Sequence, residues 1–248
     1  MHFTKDMRKN STPVGALAFD YEVTAPAVAS ANQVLARAMF GEAPSGSALY
    51  RQTLKRIFDL TCIVLAAPLI VPMIALLAVL VAFDGGKPFY RQARVGRDGR
   101  LYTMWKLRTM VAGADAKLET YLASDPAARA EWDSTQKLKN DPRITSFGGL
   151  LRKTSLDELP QLLNVIKGEM SLVGPRPMLP EQQVMYPGTA YYDLLPGITG
   201  PWQVSARNET TFAERAHFDT RYARSLSFFE DLKMLVSTIR VVARATGH

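Results

Sequence analysis

Residues 60–83 read LTCIVLAAPLIVPMIALLAVLVAF, and this uncharged run decides the class of fold. Its 24 residues are long enough, at about 1.5 Å per residue in a helix, to cross roughly 30 Å of hydrocarbon. Pro68 and Pro72 lie inside the run, and each removes a helical hydrogen bond and clashes with the preceding turn. The run therefore predicts a membrane helix that is broken at Pro68.

Basic residues flank both ends of the run and predict its course. By the positive-inside rule, both flanks favour the cytoplasmic face. A re-entrant helix, which enters and leaves by one leaflet, satisfies this pattern. A spanning helix and the buried core helix of a soluble protein stay open as alternatives. The flanking cations are Arg51, Lys55 and Arg56 before the run, and Lys87, Arg91, Arg94, Arg97 and Arg100 after it.

The chain divides into three parts on this basis. Residues 1–50 lack a sustained apolar period and predict a flexible tail, residues 51–91 form the re-entrant anchor, and residues 92–248 form a cytoplasmic domain. Apolar periodicity and turn signals predict a hairpin, a short strand and several helices, one of them interrupted at Asp125-Pro126. The expected fold class is a helix-rich, mixed α/β monotopic membrane protein.

Composition restricts the partners. The 248 residues carry a net charge of +7, which favours an acidic partner such as nucleic acid, anionic lipid or a phosphorylated small molecule. The single cysteine, Cys62, excludes an intrachain disulfide and fits a reducing compartment. Residues 14–19 are too short an apolar stretch for a secretory signal, so we expect the chain in or against the cytoplasm.

Residues 150–177, LLRKTSLDELPQLLNVIKGEMSLVGPRP, place two carboxylates among cations. Asp157 and Glu158 precede an apolar stripe of helical spacing, which predicts that both acids lie at a helix N-terminus. The positive end of the helix dipole would keep Asp157 ionised, as a nucleophile must be, and would attract a phosphate. The alternative is a capping box, because Ser155 and Glu158 have the S-x-x-E spacing in which the glutamate only satisfies the helix end.

Basic side chains near these acids are candidate phosphate contacts. Lys106 and Arg108 alternate with apolar residues, so in a strand they share one face and could be aimed at one phosphate. Arg176 lies between Pro175 and Pro177, and Pro177 biases its backbone toward an extended conformation. A guanidinium held on such a stiff loop could bind phosphate through two hydrogen bonds. Simple attraction to anionic head groups also fits the cations near the membrane run.

Seven short blocks occur in a fixed order from about residue 54 to the C-terminus. They are KRIFD (55–59), the proline-containing run, KLRTM (106–110), NDPR (140–143), LRKTSLDELPQ (151–161), SLVGPRP (171–177) and PGITGPWQV (196–204). Together they resemble the bacterial sugar transferases, also called monotopic phosphoglycosyl transferases. Within that family the chain is most similar to the galactose or glucose phosphotransferases that initiate exopolysaccharide synthesis.

The resemblance implies a ping-pong reaction in a small catalytic domain on the cytoplasmic face of the bacterial inner membrane. In that family, the Asp that matches Asp157 attacks the sugar-bearing phosphate of a UDP-sugar, releases UMP and forms an aspartyl phosphosugar. Polyprenyl (undecaprenyl) phosphate then accepts the phosphosugar. Glu158, together with Asp157, matches the Mg²⁺ site. The positions implied to contact phosphate or substrate are Lys106, Arg108, Asp141, Arg143, Arg152, Pro175, Arg176, Pro177, Gln203 and Arg207.

Two other functions stay open at this point: a membrane-anchored anion-binding module that uses the basic patch alone, and a hydrolase of nucleotide sugars. The expected partners are a UDP-sugar, polyprenyl phosphate and membrane lipids, without nucleic acid, and a homo-oligomer is compatible with the sequence. The chain departs from the family pattern at Ala67, where relatives carry serine before the proline, and at Ala206, where they usually carry glycine.

Overall fold

The structure is a computed structural model that describes residues 48–83, 85–135, 138–205 and 211–243. The tail predicted for residues 1–50 therefore lies almost wholly outside the described residues, and Arg207 lies outside them too. The described chain is helix-rich and mixed α/β, as predicted. Its helices are α1 (Lys55–Ala82), α2 (Ala114–Ser124), α3 (Pro126–Thr135), α4 (Ser146–Thr154), α5 (Leu162–Lys167), α6 (Pro201–Ser205), α7 (Arg215–Ser225) and α8 (Phe228–Ala243), and its strands are β1 (Phe89–Val95), β2 (Leu101–Leu107), β3 (Ser171–Val173) and β4 (Gly197–Thr199).

The apolar run forms α1 without an interruption. Within the described ranges, Tyr50–Ala82 is the one helix that is long and apolar enough to cross a membrane, judged by length and composition. Pro68 and Pro72 both lie inside helical structure, so the helix continues through Pro68, and the bend expected there stays a prediction. Because the prolines are four residues apart, only two hydrogen bonds on one side of the helix are lost, and the remaining ladder keeps the segment helical.

Both ends of α1 pack against the same domain, whereas its middle does not. Near its start Ile63 joins one core cluster, and near its end Leu77 and Val81 join another. Between them, none of residues 64–76 is buried. Only 17% of the most apolar window is buried, which does not fit the core helix of a soluble protein. This distribution is compatible with a re-entrant anchor, whose course stays a prediction.

A buried polar network fastens the start of α1 to α8. Asp231 is completely buried, and its Oδ2 accepts hydrogen bonds from Lys55 Nζ at 2.5 Å and from the Tyr50 hydroxyl at 2.7 Å. The Tyr222 hydroxyl donates to Oδ1 at 2.5 Å. Both carboxylate oxygens are satisfied and the charge is paired, which is the condition under which proteins tolerate a buried charge.

The first two strands form the predicted hairpin. β1 and β2 are antiparallel, with Val95 opposite Leu101. Asp98 and Gly99 in the turn have φ of 59° and 75°, a left-handed conformation that glycine adopts freely and aspartate tolerates. The boundary predicted at residue 91 falls within β1, and the division of the chain into three parts stays a prediction.

A second, parallel strand pair delivers the loop at residues 174–177. Ser171 of β3 lies opposite Gly197 of β4. The loops that follow these strands lie in close contact, since a Cβ atom on Gly200 would lie 1.9 Å from the carbonyl oxygen of Gly174. Ser171 also donates from Oγ to Asp59 Oδ2 at 2.6 Å, which fixes β3 beside α1. The anchor helix therefore helps to position the Pro-Arg-Pro loop.

We predict that Lys55→Met destabilises the protein by about 3–5 kcal/mol, because the Asp231 carboxylate would stay buried without its cation. Denaturant or thermal unfolding of the purified protein in detergent measures this loss. Lys233→Met is the matched control, since Lys233 is exposed and lies 3.9 Å from Glu230, an arrangement that contributes about 0–1 kcal/mol. Equal losses in the two variants would show that the buried pair does not fasten the helix.

Candidate active site

The two candidate acids lie in a 3₁₀ helix, Leu156–Gln161, directly after α4. Both are in its first turn, while the α-helical part begins only at α5. Ser155, with φ of 57°, makes no side-chain capping hydrogen bond, so the alternative of a capping box is wrong. Glu158 Oε1 instead accepts a hydrogen bond from Lys106 Nζ at 2.7 Å.

Burial controls the acidity of Asp157. The residue is 6% exposed, and desolvation raises the pKa of its carboxyl to about 6. The positive charge of Lys106 opposes this shift, the negative charge of Glu158 adds to it, and Arg152 opposes it again. The carboxylate is still mostly ionised at pH 7, as predicted, but not because a helix dipole lowers its pKa.

Arg152 is held close to Asp157 by a hydrogen bond to Thr109, which follows the end of β2. Its Nε donates to Thr109 Oγ1 at 2.9 Å. Burial lowers the pKa of Arg152, and the negative charges of Asp157 and Asp141 oppose that shift. Arg152 therefore places a fixed positive charge beside the buried carboxylate.

The predicted contacts Asp141 and Arg143 form a closed pair instead of an open phosphate site. Arg143 donates from Nε and Nη2 to the two oxygens of Asp141, at 2.8 and 2.6 Å. Burial would raise the pKa of Asp141, but hydrogen bonds from Arg143 lower it below its ordinary value. The Arg143 guanidinium also lies over the Trp132 ring, 5.5 Å from its centroid. In this arrangement the pair supports the region around Arg152.

A small polar cleft brings together five of the predicted site residues. Asp157 is not part of its lining, although its neighbour Glu158 is, and Pro175 is buried next to Arg176. Arg108, Arg152, Asp141 and Arg143 lie outside the lining. The residues that line the cleft are Arg94, Met104, Lys106, Glu158, Gln161, Arg176, Pro177, Gly197, Ile198 and Gln203.

Arg108 does not share a target with Lys106. Its Nη2 donates to the carbonyl of Val81 at 2.9 Å and its Nε to the carbonyl of Lys87 at 3.1 Å. Side chains alternate between the two faces only within a strand, and β2 ends at Leu107. Lys106 and Arg108 are therefore not held on one face. Arg108 thus satisfies the C-terminal end of α1, and its contact with phosphate stays a prediction.

Sequence reasoning did not single out Arg94, which lines the cleft, or Arg215, which lies over the Trp202 ring. Arg94 lies opposite Tyr102 in the hairpin, and Tyr90 lies opposite Lys106, so Arg94 and Lys106 share one face. The sequence could have shown that Arg94 and Lys106 share a face, because the turn was predicted and the turn sets the register of the hairpin. No sequence signal identified Arg215, whose position depends on its contact with the Trp202 ring at 4.3 Å.

The acids fit a metal that is bound jointly with substrate. Within the described ranges, no group of three or more His, Cys, Asp or Glu side chains could hold a metal ion. Mg²⁺ usually takes one or two protein carboxylates, with phosphates and water as its other ligands. The Asp157–Glu158 pair beside a polar cleft has that donor chemistry.

The sequence model of the family "Bacterial sugar transferase" matches residues 50–245. The chain belongs to the bacterial sugar transferase family. The match includes α1, both strand pairs and every predicted site residue, including Arg207 outside the described part. The family resemblance of the seven sequence blocks is thereby confirmed.

Three curated relatives show how similar this sugar transferase is to proteins with named roles. It is 48% identical to the UDP-galactose-lipid carrier transferase of Erwinia amylovora and 46% identical to the undecaprenyl-phosphate galactose phosphotransferase of Salmonella typhimurium. It is 45% identical to the exopolysaccharide production protein ExoY of Rhizobium meliloti. Each comparison covers 78% of this chain. The chain spans 41% of the length of the first two relatives and 87% of ExoY.

We predict that Asp157→Asn makes this sugar transferase more stable above pH 7, by about 1–3 kcal/mol. The folded-state pKa is about 6, above the ordinary 3.8, so the stability linked to this carboxyl is present below pH 4 and is lost as the pH rises through 6. The variant should therefore unfold at a higher temperature than the wild type at pH 8, with a smaller difference at pH 5. Thermal unfolding at both pH values measures the effect.

The matched control is Asp133→Asn, which removes an exposed carboxylate from α3. It should leave the unfolding temperature nearly unchanged at both pH values. A loss of stability in Asp157→Asn at pH 8 would contradict the conclusion that burial dominates the environment of this carboxyl.

Proposed function

We propose that this sugar transferase moves a hexose 1-phosphate from a UDP-sugar to undecaprenyl phosphate and so initiates exopolysaccharide assembly. The names of the Erwinia amylovora and Salmonella typhimurium relatives contain galactose, which favours galactose over glucose as the sugar. The name of ExoY supports a place in exopolysaccharide production. The observation that carries the proposal is the Asp157–Glu158 pair, surrounded by Lys106, Arg152 and Arg176.

In the first half-reaction Asp157 acts as the nucleophile. One carboxylate oxygen bonds to the phosphorus that carries the sugar, and the bond from that phosphorus to the bridging oxygen of the diphosphate breaks. The electron pair stays on this oxygen, so UMP leaves and an aspartyl phosphosugar remains. A pKa of about 6 suits this step, because the carboxylate is mostly ionised at neutral pH yet poorly solvated, and its attack loses little hydration.

In the second half-reaction an oxygen of the lipid phosphate bonds to the same phosphorus. The bond from phosphorus to the Asp157 oxygen breaks, and the carboxylate is regenerated. The product is an undecaprenyl diphosphate sugar. Atoms and charge balance over the two steps without a general acid, because both leaving oxygens depart as stable anions.

Fixed positive charge does most of the work of phosphoryl transfer. Lys106 and Arg176 line the cleft and are placed to contact phosphate oxygens. Arg152 offsets part of the negative charge at Asp157, and so helps to keep it ionised. Mg²⁺, held by Glu158 with Asp157, would supply further positive charge to the diphosphate when bound.

The anchor gives the reaction its location. We propose that α1 enters and leaves the inner membrane by its cytoplasmic leaflet, with the catalytic domain on the cytoplasmic face. Support comes from the contacts at both ends of α1 with one domain and from the exposure of its middle. This arrangement keeps the cleft at the leaflet where a lipid phosphate lies.

We predict that Asp157→Asn lowers UMP release from UDP-galactose by about 10³-fold or more, because an amide cannot form the covalent intermediate. The assay uses the purified full chain with Mg²⁺ and a short polyprenyl phosphate, and follows UMP. Asp133→Asn is again the matched control and should keep wild-type turnover. Substantial turnover in Asp157→Asn would remove Asp157 from the nucleophile role.

The same assay separates the transferase from the two other functions. A hydrolase would release free sugar phosphate as its major product without the lipid, whereas the transferase needs polyprenyl phosphate for sustained turnover. An anion-binding module would release no UMP from any UDP-hexose. A panel of UDP-hexoses run in parallel identifies the sugar.

We predict that both ends of α1 face the cytoplasm. Exposed positions on either side of the helix, Gln52 and Lys87, are replaced by cysteine one at a time in a Cys62→Ser background. A membrane-impermeant maleimide should label neither position in intact cells and both in permeabilised cells. Labelling of one position in intact cells would mean that the helix spans the membrane.

A further inference from the structure

Two arginines lie over the Trp202 ring beside the cleft, and a third, Arg94, lies near them. The guanidinium carbon of Arg176 lies 5.5 Å from the ring centroid, and that of Arg215 lies 4.3 Å from it. Arg94 lines the cleft next to Arg176. Trp202 itself is 3% exposed, so its ring supports the arginines and is not offered to a nucleobase. We call Arg94, Arg176 and Arg215 the arginine cluster.

The charge of the arginine cluster is poorly compensated. In the described part of the chain, none of its members is in an ion pair with a carboxylate. The Nε atoms of Arg94 and Arg215 are buried without a hydrogen-bond partner. Burial, and next the positive charge of Arg176, lower the pKa of both Arg94 and Arg215. Partly buried cations without an anionic partner are costly, so the arrangement favours an anion.

Asp219 compensates Arg215 only in part. It lies one turn along α7, and its carboxylate already accepts a hydrogen bond from the Tyr186 hydroxyl at 2.9 Å. Burial raises the pKa of Asp219 to about 7, so this carboxyl carries only part of a negative charge at neutral pH. The arginine cluster therefore keeps a net positive charge.

We propose that the arginine cluster is a phosphate subsite of the cleft, with Arg94 and Arg215 as members that family motifs did not indicate. It binds the phosphate next to the one that is attacked at Asp157, and this assignment rests on the proposed function. Guanidinium groups match phosphate oxygens through paired hydrogen bonds, and three of them suit a dianionic phosphate monoester.

The order of the two half-reactions gives the subsite two occupants in turn. In-line displacement places the leaving oxygen opposite the Asp157 oxygen, and the entering lipid oxygen must approach from that same side. The phosphate of UMP therefore departs from the position that the lipid phosphate takes. One cluster of arginines binds the phosphate of UMP first and that of the lipid second.

Arg94 and Arg215 differ in how they are held. Arg94 donates from Nη1 to the carbonyl of Pro177 at 3.2 Å and from Nη2 to Gln92 Oε1 at 2.6 Å, so it also fixes the Pro-Arg-Pro loop. Arg215 lies against the rings of Trp202 and Phe212, at 4.3 and 4.5 Å. Arg215 is the cleaner position for a test, because its loss does not release the loop.

We predict that Arg215→Gln weakens binding of both UMP and a short polyprenyl phosphate by about tenfold or more. Binding is measured by calorimetry on the full chain in detergent, in an Asp157→Asn background that prevents turnover. Arg221→Gln, an exposed charge removed from the same helix, should leave both affinities unchanged. Unchanged binding of both ligands to Arg215→Gln would overturn the subsite.

Weaker binding of only UMP, or of only the polyprenyl phosphate, would show which phosphate the arginine cluster binds. It would also overturn the proposal that the cluster binds both. Arg215→Lys separates charge from packing, since it should recover part of the lost affinity if the side chain contacts phosphate. Failure of the lysine variant to recover any affinity, with a lowered unfolding temperature, would instead assign Arg215 a structural role. If the wild type transferred no sugar phosphate, the proposed function would fail, while the binding data would still decide the subsite.

Discussion

The carboxylate of Asp231 is the contact on which the rest of the architecture depends. It joins Lys55 and Tyr50, at the start of the long apolar helix, to the last described helix of the chain. A buried ion pair of this kind gives little net stability over an apolar core, but it accepts only one geometry. From this fixed point α1 carries Asp59 to β3, and β3 leads to the loop that presents Arg176. The long apolar helix and the candidate site are therefore joined by a continuous set of contacts.

Asp157 and Glu158 are adjacent but have different environments, which fits the different roles proposed for them. Asp157 is buried and holds its proton more tightly than an ordinary aspartate, whereas Glu158 is paired with Lys106 at the edge of the cleft. Neighbours in sequence point in different directions because the backbone is a 3₁₀ helix after a left-handed residue. A buried, poorly solvated carboxylate suits covalent attack, and one at the cleft edge suits a hydrated cation.

The sequence predicted those elements of the fold that depend on residues close together in the chain. The apolar run, the hairpin turn and the interruption before Pro126 follow from hydrophobicity, glycine conformation and proline sterics, and all were found. Arg94 and Arg215 were missed because their convergence depends on packing between segments far apart in sequence. Arg108 instead donates to carbonyls at the end of α1, because β2 ends one residue before it, and its contact with phosphate stays a prediction. The burial of Asp157 likewise depends on the assembled fold and not on its own segment.

The contact of Arg108 with the carbonyl of Val81 connects the far end of α1 to the strand that carries Lys106. With Asp231 holding the near end, the helix cannot slide along its own axis while the domain stays still. In the proposed membrane arrangement, a change in bilayer thickness would therefore move the helix and the domain together. The height of the cleft above the acyl chains would then be set by the protein, and a lipid phosphate would have to lie at that height to react.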